Sequence, residues 1–347
     1  MAHWKLTLAY DGAPYRGWQI QPSRPTVQGL LADAIHRTTG ERVLPQGSGR
    51  TDAGVHALAQ VASFALAAPI PAANLHRALN RCLPPSIRVL AVEAVPPDFH
   101  ARHSALRKTY EYRIFPLRLA TNSACHSDPE RSEGEESPYF VRTPGSSLDP
   151  PLNPRTQDRA PDPGPICPPT LAPYVWPCPW PLDLDALNRA ARHVLGTHDF
   201  TTFAATDPDL THRSALGSPD TTALPSDPQR VEAESRDSRI LLAAPQNQPQ
   251  SSTAGPRTNI RTVTHSHWHV ADGLLVYRVA ADGFLHHMVR NLVGTFVQCG
   301  ALRLDSGSIP ALLAARNRAV AGPTAPASGL FLVSVQYSDP TPSSTEL

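Results

Sequence analysis

Lysine is nearly missing from this chain: of 31 basic residues, only Lys5 and Lys108 are lysine. The rest are arginine, planar, always charged and five-donor, which suits phosphate and base contacts. Genome composition produces the same bias, so both explanations stay open. Charge of one sign is also missing, since 31 basic residues meet 30 acidic ones for a net charge of +1. The whole-chain balance therefore marks neither a polyanion binder nor an acidic tail protein. No apolar run reaches the ~18 residues that span a bilayer. The start, Met1-Ala2-His3-Trp4-Lys5-Leu6-Thr7-Leu8, has no secretory h-region. The five cysteines (Cys82, Cys125, Cys167, Cys178, Cys299) are odd in number and form no CxxC pair. That excludes a disulfide framework and a cysteine zinc site. The expectation is a soluble, cytoplasmic protein.

What the chain has in excess is proline, 38 residues unevenly spread. Residues 116–181 hold 16 prolines and 207–257 hold 7. With ten arginines against fifteen acids the two stretches net −5, which leaves the other 230 residues at +6. Few apolar residues recur in them, so they bury too little surface to offset ordering entropy. Both are expected to be disordered insertions.

Elsewhere the periodicity is clear. Residues 5–10 alternate as a strand and stop at Asp11-Gly12. Thr26 is placed to cap a helix carrying Val27, Leu30, Leu31, Ala34 and Ile35, with Gly40 as its stop. Strands are expected at 60–66 and 87–95, a helix capped by Asn74 between them, and room for a strand near 41–46. The second half repeats the rhythm. Strands are expected at 109–115, 261–270, 274–280 and 330–337. Asp183 caps a helix that Gly196 ends, an apolar stripe runs from Leu285 to Val297, and a short helix follows at 308–316. The fold class is α+β, with helices on one face of a sheet.

Four segments could carry chemistry. Gly47-Ser48-Gly49-Arg50-Thr51-Asp52-Ala53-Gly54-Val55-His56 describes a tight loop around a carboxylate and an arginine. A functional acid and an Asp making its own turn bonds both fit it. It lacks the lysine and spacing of a P-loop. An aspartic-protease reading fails for want of a second copy. Next, Arg102, Arg107 and Lys108 precede Tyr110 and Tyr112, which share one face of a strand. Cations for a backbone and aromatics for bases are built that way, as are ordinary cores. Third, His286-His287-Met288-Val289-Arg290-Asn291 opens the striped helix, with Arg290 off the stripe. On a helix, adjacent histidines diverge by roughly 100°, a poor metal pair and more in keeping with edge residues. Last, His265, His267 and His269 share a strand face, either a chelating strip or a solvated one.

Taken together, these segments resemble the tRNA pseudouridine synthase A family. The resemblance rests on Tyr10-Asp11-Gly12, Gly17-Trp18-Gln19, Thr26-Val27-Gln28, Gly49 to His56 with Gln60-Val61, and Phe99-His100-Ala101-Arg102. It continues through Tyr110, Tyr112, Asp199-Phe200, Phe203, Phe284 to Asn291, and Gly329 to Val333. It spans the chain apart from the two insertions and the end after Asp339. It implies a pseudouridine synthase fold of two ferredoxin-like, RNP-like α+β lobes, with an active-site cleft between antiparallel sheets. The lobes are expected at 1–104, with catalytic loop 47–56, and 105–338, interrupted at 116–181 and 207–257, before a disordered tail at 339–347. The resemblance further implies a homodimer that grips the tRNA anticodon stem-loop and isomerises uridine there, with no metal, organic cofactor or membrane.

By the same resemblance Asp52 is the catalytic nucleophile, Tyr110 stacks on the target base, and Arg50 and Arg290 flank the acid or fill space left by the flipped nucleotide. The chemistry agrees. The base leaves N1–C1′ and rejoins through C5, so no atom or electron is exchanged and one ionised carboxylate suffices. An adjacent arginine keeps such a carboxylate charged, and extruding the base costs a few kcal/mol that stacking offsets. The alternative is a tRNA-binding or folding protein of the same fold without catalysis.

Overall fold

The computed structural model describes residues 1–117, 165–205 and 258–338, and the structural statements below concern these. Ten strands make one sheet: β1 (Ala2–Tyr10), β2 (Gln46–Gly47), β3 (His56–Leu66), β4 (Ile87–Val95), β5 (Ala105–Pro116), β6 (Trp176–Cys178), β7 (Gly196–Asp199), β8 (Ile260–Ala271), β9 (Leu274–Ala281) and β10 (Leu330–Tyr337). Their order is β4-β1-β3-β10-β5-β9-β8-β7, with β2 on β3 and β6 on β5. All neighbours along that order are antiparallel except β10 and β3. The α+β class holds. The implied pair of sheets is joined into one, because β10 bridges the two halves of the chain. Its contact with β3 is a short parallel seam, Phe331 with His56 and Leu332 with Ala57.

Five helices accompany the sheet: α1 (Val27–Thr39), α2 (Ala72–Cys82), α3 (Leu184–Arg192), α4 (Met288–Gly300) and α5 (Ile309–Ala315). Several of their ends follow the sequence. Thr26 Oγ1 accepts from the N–H of Gly29 and Gly40 closes α1. Asp183 caps α3 by accepting from Asp185 and Ala186. Period-two burial turns Trp4, Leu6, Leu8 and Tyr10 of β1 inward, and the stripe of α4 buries Leu292, Val293, Phe296 and Val297. One contiguous apolar core results.

Four expectations are corrected. The helix expected to be capped by Asn74 starts earlier, at Ala72 after Pro71, so Asn74 lies in its first turn. The strand near 41–46 shrinks to Gln46–Gly47, and α3 ends at Arg192, while Gly196 opens β7. The insertion expected over 116–181 is too broad. Residues 165–181 are placed, β6 pairs in parallel with the end of β5, and Val175 and Cys178 are fully buried. Prolines there mask a segment in which Val175 and Cys178 reach the core although Ile166 stays exposed. The rest of that expectation (118–164), all of the second (207–257) and the tail (339–347) lie outside the described residues. Among the described residues, no helix is long and apolar enough to cross a membrane.

Candidate active site

The site forms where the two halves meet. Loop 48–55 comes from the first half, Tyr110 from β5, and Arg290 from the first turn of α4. The loop is held from beneath by a buried polar network. Tyr10 Oη bonds Thr51 Oγ1 at 2.8 Å, Ser48 donates to Gln60 Oε1 at 2.6 Å, and Gln60 Nε2 donates to Gly49 O at 2.9 Å. Burial pushes the Tyr10 phenol up to about 12, so it stays neutral. A second wall is backbone. Trp18 N–H donates to Thr51 O, and Gly54 N–H donates to Tyr15 O. Gly17 allows this approach: its φ is +91°, and a Cβ would sit 2.6 Å from Thr51 O. Such a loop holds a side chain in one place rather than lying free on the surface.

That side chain is Asp52, 18% exposed. Arg290 Nη1 lies 3.1 Å from its Oδ2, while Arg290 Nε donates to Ala325 O at 2.8 Å. The guanidinium is thus aimed by one carbonyl and spent on one carboxylate. The segment supplying Ala325 packs so closely on α4 that a Cβ on Gly294 would stand 1.6 Å from Pro323 O. Asn291, fully buried, ties this region together through Phe203 O, Thr324 Oγ1 and Arg318.

The histidines were misplaced by the sequence. Helix α4 begins at Met288, not 285, because His287 is left-handed at φ 58°. Off the helix, the two rings no longer diverge. They lie 4.0 Å apart, His286 Nε2 3.5 Å from Asp52 Oδ1 and His287 Nε2 3.4 Å from Oδ2. Both belong to the site, and neither is an edge residue. Burial holds the His287 imidazole below the usual histidine range, against the pull of Asp52. Among the described residues these three are the group of His and acid side chains whose ligand atoms, one each, lie within 4.8 Å of one another. The Arg290 cation on the same carboxylate opposes the charge of a divalent ion there.

Tyr110 stands on the same side of β5 as Tyr112, 7% exposed and edge-on to Phe284 at 5.0 Å. Burial, then Tyr10 and Asp52, raise its phenol pKa, which places the hydroxyl in the field of the acid. Arg50 is exposed in the loop two residues before Asp52. Of the four residues singled out from the sequence, Asp52, Arg290 and Tyr110 come together, and Arg50 is exposed in the same loop. The His265, His267 and His269 strip lies on the face of β8 opposite buried Ser266 and Trp268 and takes no part.

A carboxylate gripped by an arginine and two histidines, beside a covered tyrosine on an α+β sheet, concentrates the site's chemistry on a single acid. A family model described as tRNA pseudouridine synthase matches residues 7–104 and 245–338. The tRNA pseudouridine synthase A of Solibacter usitatus is 37% identical over 334 residues, covering 96% of this chain and 98% of its own length. That of Moorella thermoacetica is 36% identical over 335 residues, with the same coverage. That of Rhodopseudomonas palustris (strain BisA53) is 34% identical over 342 residues, 97% of this chain and all of its own. The chain belongs to the tRNA pseudouridine synthase family.

Proposed function

We propose that this chain isomerises uridine to pseudouridine in the anticodon stem-loop of tRNA, with Asp52 as the catalytic carboxylate. The observation that carries the reading is the Asp52–Arg290 pair at 3.1 Å, presented by a loop inside the family match. The N1–C1′ bond breaks, the freed base turns, the C5–C1′ bond forms, C5 gives up its proton and N1 gains one, so the atoms balance and no electrons are exchanged. Asp52 acts at the ribose or the ring, and Arg290, 3.1 Å from its Oδ2, pairs with it and aligns it. Tyr110 receives the extruded base on its ring, where stacking offsets the cost of leaving the helix. Arg50, exposed in the same loop, flanks the acid or fills the space left by the flipped nucleotide. The enzyme works as a cytoplasmic homodimer.

Tritium release from C5-labelled uridine in anticodon-arm tRNA tests this directly. Wild-type protein should release label and Asp52→Asn should not. Wild-type protein that binds such tRNA without releasing label would instead support the non-catalytic alternative.

A further inference from the structure

Lys108 is one of only two lysines in a chain whose other basic residues are arginine. It lies two residues before Tyr110 on the same side of β5, about 7 Å along an extended strand. Its Nζ donates to Ser48 O at 2.6 Å and lies 3.4 Å from where a Cβ on Gly49 would be. An ammonium at this place is a compact point charge whose protonation can change near neutral pH, which a guanidinium's cannot. Among the described residues the ammonium makes that one hydrogen bond, leaving two N–H donors. The charges acting on it are Arg102, from the turn after β4, and Arg261, from the start of β8. Lys108, Ala281 and Val263 form one row across β5, β9 and β8, and Arg261 stands two residues before Val263 on the same side. Three cations converge beside the catalytic loop.

We propose that Lys108, Arg102 and Arg261 form an anion subsite that takes a backbone phosphate of the RNA strand, next to the nucleotide whose base meets Tyr110. The inference rests on the tRNA reading above and adds a specific contact to it. Successive phosphates of an extended strand are about as far apart as Lys108 and Tyr110, so one residue takes the chain and the other the base. Burial and the two arginines pull the Lys108 ammonium down to about 8. Other titratable groups on the elements packed around it are Asp52 in the loop, Asp282 after β9, His100 and His103 beside Arg102, and Tyr337 on β10. A phosphate binds the protonated amine, so affinity should fall as pH rises through about 8. Every arginine contact stays charged over that range, which isolates the lysine.

The experiment measures equilibrium binding of tRNA transcript to the full chain across salt concentration, at pH 7 and pH 9. Wild-type affinity should fall about tenfold between those pH values. Lys108→Met should bind more weakly at pH 7, lose the pH response, and lower the log–log salt slope by about one. Lys108→Arg should recover the slope without the pH response. Arg102→Gln with Arg261→Gln should move the pH midpoint upward, a readout that survives if Lys108→Met folds poorly. If Lys108→Met keeps the wild-type slope and pH response and only slows turnover, Lys108 is a strut for Ser48 and the subsite does not exist. Wild-type protein that neither binds nor isomerises tRNA would overturn the parent reading instead, a distinguishable result.

Discussion

Arg290 Nη1 meets Asp52 Oδ2 at 3.1 Å across 238 residues of sequence, so the acid and its counter-ion come from opposite halves of the chain. Removing either partner leaves a half-buried charge unmatched.

Asp52→Asn keeps the size of the side chain and loses its charge. Isomerisation should vanish in the tritium assay, while tRNA affinity stays within about tenfold, roughly 1.4 kcal/mol. Residual turnover above a few per cent would take the nucleophile role from Asp52.

Arg290 has two targets at different angles, Ala325 O and Asp52 Oδ2. Lysine can satisfy one of them and methionine neither. Turnover should therefore fall in the order wild type, Arg290→Lys, Arg290→Met, with the methionine variant losing about 2–4 kcal/mol of transition-state stabilisation. Equal losses in both variants would assign the effect to geometry at Ala325 alone.

His287 gives the site an acid limb. Burial depresses its pKa, so the imidazole is neutral at pH 7 and gains its proton only as pH falls below the ordinary histidine value of about 6.5. Once charged, it pairs with Asp52 in competition with Arg290. Turnover should hold from pH 8 down to pH 6.5 and decline below that. In His287→Gln that decline should move to lower pH or disappear. An unmoved limb would remove His287 from the argument.

How much of this was legible in the sequence depends on how local the cause was. Thr26 and Gly40 mark α1 because a cap and a stop act within four residues. Loop 47–56 was legible because its glycines and Asp52 are adjacent. The His286–His287 pair was not, because the start of α4 depends on tertiary contacts: Ala205 N–H on His286 O, and a left-handed turn at His287. Strand β6 was hidden for a similar reason. Its pairing partner Ile114 lies 62 residues away, and proline dominated the local composition.

Val175 tests that correction. It is fully buried in a stretch that composition alone would call dispensable. Val175→Asp should lower unfolding free energy by about 3 kcal/mol or more in a denaturant titration. No change would mean the segment leaves the body in solution.

Tyr110 separates ring from hydroxyl. Tyr110→Phe should bind tRNA almost normally, and Tyr110→Ala should lose about 1–3 kcal/mol. If the phenol also relays the C5 proton, the phenylalanine variant slows turnover at unchanged affinity. Equal affinity losses in both would place the hydroxyl in binding, and no loss in either would return Tyr110 to the core beside Phe284.

The position of β10 bears on how the protein is made. It is the last described strand in chain order, yet it lies between β3 and β5 in the middle of the sheet. A ribosome must deliver residues 330–337 before the halves can zip together, so Asp52 and Arg290 wait unpaired through most of synthesis. Until then β3 and β5 each present a raw edge, the kind that captures strands from other chains. A stalled or truncated product would fail by aggregation before it ever failed by weak catalysis.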